Sequence, residues 1–157
     1  MIEKIVSGGQ SGVDRAAFDA ALACGVAIGG WCPQGRRAED GAIPGHYPMT
    51  ETPASDYATR TKWNVRDSDA TLILAAVPLN GGSGITAGFA RRLGRTYLIL
   101  DPAAAGGPRD AGRWVDSENI AVLNIAGPRE SKQPGIYSAV LNFVEEMIEI
   151  DRTNASG

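Results

Sequence analysis

Apolar positions along the chain follow two alternating patterns, short continuous runs and runs with helical spacing. The clearest continuous run is ATLILAAV at residues 70–77, which is typical of a strand covered on both faces. The clearest helical spacing lies in residues 13–24, where Val13, Ala17 and Ala20 share one face. Further strands are predicted at residues 2–7, 26–31, 96–101 and 120–127, and further helices at residues 55–66, 85–94 and from 134 onward. This alternation predicts an α/β fold with a mainly parallel sheet.

Two stretches between the predicted elements show neither pattern. Residues 32–53 are rich in proline and glycine, and a segment this long inside a domain is usually functional or mobile. Residues 103–112 are mainly small and are predicted to form a loop. Because no internal repeat or linker is evident, residues 1–150 are expected to form one ligand-binding domain, with residues 151–157 as a frayed tail.

Glycine-rich segments follow three of the predicted strands: SGGQSG at residues 7–12, NGGSG at 80–84 and AGPRESK at 126–132. If the strands are parallel, these loops meet at the edge of the sheet where open α/β folds bind ligands. Glycine lets a ligand approach the backbone closely, and the helix that follows offers free amides and a partial positive charge. The set suits a phosphate or another oxyanion. The alternative is that the glycines only fit tight turns between strand and helix.

Basic residues occur in the same loops and in the long segment, and the planar guanidinium of arginine suits oxyanion recognition. Two roles remain open for the neighbouring acids Asp14, Glu39, Asp40 and Glu130, which can either neutralise the arginines or orient them. The predicted binding residues are Gly8, Gly9, Gln10, Ser11, Gly12, Arg15, Arg36, Arg37, Gly81, Gly82, Ser83, Gly84, Thr86, Gly127, Arg129, Glu130, Ser131 and Lys132.

Composition narrows the classes of function. A net charge of -3 gives no general attraction to nucleic acid or to an anionic membrane, so neither is an expected partner. Two cysteines and one histidine do not supply the usual ligands of a zinc site, and no metal held by the protein is expected. No nucleophile–base pair is evident around His46, so no catalytic residue is predicted and binding is favoured over hydrolysis. With no leader and no bilayer-spanning apolar run, a cytoplasmic protein is expected.

Four segments resemble the molybdenum carrier family: residues 5–22, 29–44, 47–74 and 126–144. The combination of GGQSGVDRA, GRRAEDG and GPRESK is specific to this family, which belongs to a Rossmann-like superfamily with the lysine-decarboxylase-like phosphoribohydrolases. The resemblance implies a Rossmann-like, doubly wound sheet with helices on both faces, and a homo-oligomer (a dimer or tetramer). It also implies that molybdenum cofactor, a phosphorylated pterin with a dithiolene-held oxo-molybdenum, is bound as cargo. Molybdoenzymes or cofactor-biosynthesis proteins are then the implied protein partners.

One departure from the superfamily bears on activity. The phosphoribohydrolases carry a PGGxGTxxE-type loop whose glutamate serves catalysis, whereas GGSGITAGF at residues 81–89 has Gly88 and Phe89 where that acid is expected. This difference argues against hydrolysis by that mechanism. The alternatives to a carrier are a nucleotide phosphoribohydrolase and a nucleotide-binding sensor of the same superfamily.

Overall fold

A parallel sheet of five strands forms the centre of the fold in the computed structural model, which describes residues 1–157. The chain has nine strands, of which five form this sheet and four form two small sheets. They are β1 (Lys4–Val6), β2 (Ala27–Gly29), β3 (Trp31–Cys32), β4 (Arg37–Ala38), β5 (Gly41–Ala42), β6 (Thr50–Glu51), β7 (Ala70–Leu74), β8 (Thr96–Leu100) and β9 (Val122–Ala126). The helices are α1 (Val13–Ala23), α2 (Tyr57–Arg66), α3 (Gly81–Arg92), α4 (Gly107–Ser117) and α5 (Ile136–Ser156). The sheet has the order β2-β1-β9-β7-β8, and all its neighbouring strands are parallel.

Helices flank both faces of this sheet. Helix α5 packs against α1 and α4 on one face, and α2 packs against α3 on the other. All five residues of β7 are buried, as its continuous apolar run predicts for a strand between two helical layers. The main core joins the sheet to α1, α4 and α5 through side chains such as Ile5, Leu123 and Val144, and each contributes about 1.5–3 kcal/mol when fully buried. The predicted Rossmann-like α/β fold is confirmed.

Strand connectivity creates a crevice beside β9. The β1–α1–β2 unit leads toward one edge of the sheet, and the β7–α3–β8 unit leads toward the other. Strand β9 lies between β1 and β7, so the direction of winding changes at its carboxyl end. Open α/β sheets bind their ligands at such a switch in strand order.

The proline-rich segment after β2 is more regular than its sequence predicts. It contains a 3₁₀ turn at Gln34–Arg36 and two small sheets, in which β3 pairs with β6 and β4 pairs with β5. Its Ile43 and Tyr47 side chains are buried in a second cluster with Phe18 of α1 and Cys32. The prediction that this segment is irregular is therefore wrong. The apolar residues of the segment are too far apart along the chain to show a strand or helix period, although they pack together in the fold.

Two predicted loops are partly helical. Helix α3 begins at Gly81, so most of NGGSG forms the first turn of that helix. Helix α4 occupies part of the loop predicted at residues 103–112, which is a second correction. Pro108 lies in the first turn of α4, where no amide hydrogen is needed, and Ala111 and Val115 are buried four residues apart. The sequence pattern does not predict this helix, because too few of its positions are apolar to show a helical period.

The carboxyl-terminal helix continues through the predicted tail. Helix α5 extends to Ser156, and its Asp151 is buried and accepts a hydrogen bond from the Ile2 amide at 2.8 Å. This bond ties the end of the helix to the beginning of the chain. None of the helices has both the length and the apolar character needed to cross a membrane.

Candidate functional site

A cavity of about 530 Å³ opens at the carboxyl edge of the sheet. Its walls are the loops that follow β1 and β9, one face of α2 and the amino-terminal part of α3. This volume lies in the range of small-molecule sites. Only four of its 20 lining residues are hydrophobic, so the cavity suits a polar or charged ligand.

Arg60 of α2 is the most buried cation of the cavity. Its side chain is 14% exposed, and its Nη1 atom lies 3.4 Å from Asp14 Oδ2. The Nε atom of Arg60 is buried and has no hydrogen-bond partner. Because an unsatisfied buried donor costs free energy, this N–H group is a favourable position for an acceptor on a ligand.

The carboxyl group of Asp14 lies opposite Arg60 in the first turn of α1. It is buried and accepts a hydrogen bond from the Gln10 amide at 3.1 Å. Burial raises the pKa of Asp14 above its ordinary value, although the Arg60 guanidinium and the hydrogen bonds act in the opposite direction. At 3.4 Å, the contact between Asp14 and Arg60 is longer than a usual charge-assisted hydrogen bond.

The first turn of α3 presents its backbone to the cavity. A Cβ atom on Gly81 or Gly82 would meet nothing within 4 Å, so this backbone borders open space. The preceding Asn80 makes no side-chain capping bond. Amides at a helix start are unpaired and carry a partial positive charge, which is the arrangement that binds oxyanions. The Thr86 hydroxyl donates to the Gly82 carbonyl at 2.9 Å and so stabilises this turn.

Glycines in the other two loops are required by packing. Gly12 has a φ of 78°, and a Cβ atom there would lie 2.5 Å from the Pro128 carbonyl oxygen. A Cβ atom on Gly127 would lie 2.3 Å from the Leu74 carbonyl oxygen. Both distances exclude a side chain, so the tight-turn alternative accounts for these two glycines.

Glu39 lies between the same two loops. It accepts hydrogen bonds from the hydroxyls of Ser11 and Ser131 and from the Ser131 amide. Burial would raise the pKa of Glu39, but these bonds and the nearby Arg129 outweigh it, so the pKa lies below its ordinary value. The Gln10 side chain also accepts from the Glu39 amide at 2.8 Å. Ser11 and Ser131 therefore bind a carboxylate of the protein itself.

Three predicted arginines have partners within the protein. Arg15 donates to both carboxylate oxygens of Asp40 and to the Gly9 carbonyl. Arg36 donates to the backbone carbonyls of residues 43, 44 and 47. Arg37 donates to the Ser55 carbonyl at 2.9 Å. The Arg15 and Arg37 bonds connect the proline-rich segment to its surroundings, and the Arg36 bonds fasten it internally.

Glu130 caps the last helix. Its two carboxylate oxygens accept from the Gly135 amide at 2.6 Å and from the Tyr137 amide at 2.9 Å, at the start of α5. The side chain therefore satisfies amides that a helix start leaves unpaired.

Half of the predicted binding residues line the cavity. Those that line it are Gly8, Gln10, Gly81, Gly82, Ser83, Thr86, Gly127, Arg129 and Lys132. Those outside the lining are Gly9, Ser11, Gly12, Arg15, Arg36, Arg37, Gly84, Glu130 and Ser131. Several residues of the second group, among them Gly12, Arg15 and Ser131, join the loops to one another or to the proline-rich segment.

Residues of α2 form a wall of the cavity that the sequence did not predict. Tyr57, Arg60, Thr61 and Asn64 line it at spacings of three, four and seven residues, so they share one face of the helix. This polar stripe is the signal from which the wall could have been found. Asn124 of β9 also lines the cavity and donates to the Thr71 hydroxyl at 3.2 Å, but nothing in an apolar strand marks it beforehand.

Fold and cavity together define an open α/β domain with a polar cavity at the switch in strand order, where such folds bind ligands. The circularly permutated YpsA SLOG family model matches residues 5–148, and the chain belongs to this family. A structural neighbour is the crystal structure of the "putative molybdenum carrier protein" of Syntrophus aciditrophicus SB, at 45% sequence identity and a TM-score of 0.89. The match covers 94% of this chain and 95% of the neighbour. No protein of curated function matches significantly. The resemblance found in the sequence is thereby confirmed.

Proposed function

We propose that this chain binds and carries molybdenum cofactor, or a related phosphorylated pterin, in the cavity. The observation that carries the proposal is Arg60, whose buried Nε–H has no acceptor within the protein. An oxyanion of the ligand at this atom would gain a charge-assisted hydrogen bond and would satisfy the donor.

Charges around the cavity favour an anion that carries more than one negative charge. Arg60, Arg129 and Lys132 line it, and Asp14 is the one carboxyl group in the lining. The amides at the start of α3 add a further partial positive charge. A phosphate monoester, with a charge of about -1.5 to -2 near neutral pH, complements this excess.

The remaining lining suits the other parts of such a ligand. Side-chain amides of Gln10, Asn80 and Asn124 can donate to, or accept from, the edge of a heterocycle. No group of three or more His, Cys, Asp or Glu side chains is placed to hold a metal ion. In this proposal molybdenum stays on the dithiolene of the cofactor, and the protein encloses it as cargo.

The name of the Syntrophus aciditrophicus neighbour supports a carrier role for this chain also. From the family resemblance we further propose a homo-oligomer, with molybdoenzymes or cofactor-biosynthesis proteins as the partners that deliver or receive the cargo.

Retention of the cofactor by the purified chain tests the proposal. Cofactor released anaerobically from a molybdoenzyme should co-elute with the chain and should oxidise more slowly when bound. Arg60→Gln should weaken binding about tenfold or more, because one charge-assisted hydrogen bond is lost. Arg92→Gln is the matched control, since Arg92 is an exposed arginine of α3 outside the cavity lining. A folded wild-type chain that neither retains nor protects the cofactor would refute the proposal.

A second candidate function, a nucleotide phosphoribohydrolase, is favoured by Asp14. Gly88 and Phe89 occupy the position where an unpermuted order of motifs would place the catalytic acid, but the family is circularly permutated. Asp14, in the first turn of α1, lies six residues after Gly8, and its buried carboxyl lines the cavity with a raised pKa. Such a group is a candidate general acid. Release of free base from a panel of nucleoside monophosphates, abolished in Asp14→Asn, would establish this function; no release would exclude it for that panel.

A further inference from the structure

The ring of Tyr57 lies close to three guanidinium groups. The Cζ atoms of Arg37, Arg60 and Arg129 are 4.5, 5.6 and 5.7 Å from its centroid. The three arginines come from separate parts of the chain: β4, α2 and the loop that follows β9. The ring of Tyr57, the first residue of α2, therefore contacts one arginine from each of these three segments.

None of the three arginines has a close carboxylate partner. Arg60 Nη1 is 3.4 Å from Asp14, and Arg129 Nε is 3.9 Å from Glu39. The hydrogen bond of Arg37 is to a neutral carbonyl, that of Ser55.

Two arginines elsewhere in the chain are paired closely with a carboxylate. Arg15 bonds both carboxylate oxygens of Asp40, and Arg66 bonds both oxygens of Asp67. The guanidinium charges around Tyr57 are therefore offset less closely than those of Arg15 and Arg66.

An aromatic ring holds an arginine differently from a carboxylate. The ring attracts the cation through its quadrupole, so the guanidinium is positioned without being neutralised. Its N–H donors also remain free to bind a ligand. Three like charges around one ring repel each other, and an anion bound among them would remove that repulsion and accept charge-assisted hydrogen bonds.

We propose that Tyr57 is a positioning residue that gathers Arg37, Arg60 and Arg129 into a clamp for a dianionic tetrahedral group, such as a phosphate monoester. The inference rests on the proposed function, because it concerns the same cavity. It adds Arg37, which lies outside the lining, as the third cation of the clamp. It also assigns Tyr57 to holding the arginines, rather than to stacking on the ring of the ligand.

Titration with inorganic phosphate by calorimetry near pH 7.5 tests the clamp directly. Tyr57→Phe keeps the ring and should bind phosphate within about twofold of wild type, whereas Tyr57→Leu should bind it about tenfold more weakly. Tyr97→Leu is the matched control, since Tyr97 is a half-buried tyrosine outside the cavity lining. Equal phosphate affinity in wild type and a folded Tyr57→Leu chain would overturn the inference, as would equal losses in the Phe and Leu variants.

A second variant keeps the test decisive if Tyr57→Leu does not fold. Arg37 is exposed, so Arg37→Gln should fold normally, bind phosphate about threefold more weakly and show a shallower dependence on salt. Arg92→Gln, another exposed arginine over an aromatic ring, should match wild type. Unchanged affinity and salt dependence in Arg37→Gln would remove Arg37 from the clamp. Cofactor retention by wild type is measured separately, so failure of the clamp is distinguishable from failure of the carrier proposal.

Discussion

The Nη1 atom of Arg60 lies 1.6 Å from the position that a Cβ atom on Gly8 would occupy. The guanidinium therefore rests against the backbone of the β1–α1 loop, where only a glycine leaves room for it. This contact links the glycine-rich loop to the charge of the cavity. The glycine leaves room for the side chain that is proposed to bind the ligand.

Gly8→Ala should displace Arg60 and weaken ligand binding. The obstructing atoms are the end of a flexible side chain, so Arg60 can move aside and the free energy of unfolding should change by less than about 1 kcal/mol. Phosphate affinity measured by calorimetry should fall about tenfold. Gly45→Ala is the control, because a Cβ atom there meets nothing within 4 Å. Full affinity in Gly8→Ala would show that Arg60 does not bind the anion from this position.

Gly12 and Gly82 should respond differently to alanine. Gly12 has φ 78° and ψ -124° and abuts the β9–α5 loop, so Gly12→Ala should cost at least about 2 kcal/mol of unfolding free energy. Gly82 is helical and borders open space, so Gly82→Ala should leave stability unchanged or raise it by up to about 1 kcal/mol. Denaturant unfolding of both variants measures the contrast. Equal losses of unfolding free energy in the two variants would contradict the difference in packing between Gly12 and Gly82.

Glu39→Gln should loosen the hairpin formed by β4 and β5. The carboxylate that binds Ser11 and Ser131 loses its charge, at a cost of about 1–3 kcal/mol. The pKa of Glu39 is lowered in the fold, so its stabilising effect is present above the ordinary value of 4.5 and is lost as the pH falls through the folded pKa. Hydrogen exchange of residues 37–42 should become faster, whereas the exposed Glu118→Gln should not change it. Unchanged protection would show that Glu39 does not anchor the segment.

Asp14→Asn should change how stability depends on pH. The folded pKa lies above the ordinary value of 3.8, so the folded chain retains the proton longer than the unfolded chain as the pH rises. The contribution of Asp14 is fully present below pH 3.8 and decreases until the folded pKa is passed. Unfolding free energies measured from about pH 4 upward should fall in wild type relative to Asp14→Asn. The exposed Asp116→Asn should follow wild type, and a parallel Asp14→Asn profile would contradict the raised pKa.

Much of the fold follows from local pattern. The apolar run of β7 and the helical spacing of α1 are consequences of burial on two faces and on one face, and both are visible in the sequence. Helix α4 was not visible, because its glycines and proline mask two buried apolar positions. The order of the strands cannot be predicted from such local patterns either, because the central position of β9 depends on contacts between distant parts of the chain.

The candidate site could be located from the sequence more easily than its residues could be chosen. Glycine-rich loops at the carboxyl ends of strands indicate the edge of the sheet at which the cavity opens. Whether an arginine is available to a ligand depends on its hydrogen-bond partners within the protein. Arg15 is bound by Asp40, whereas Arg60 has only a long contact to Asp14. Those partners are far apart in the chain, so no local motif distinguishes the neutralised arginine from the available one.

The position of the ligand in a crystal of the chain with bound molybdenum cofactor tests the central claim most directly. Anomalous scattering locates the metal, and electron density locates the phosphate. We expect the metal inside the cavity and the phosphate within about 3 Å of the Arg60 guanidinium or of the amides at Gly81–Ser83. A cofactor bound elsewhere on the chain, with the cavity free of ligand density, would contradict the account.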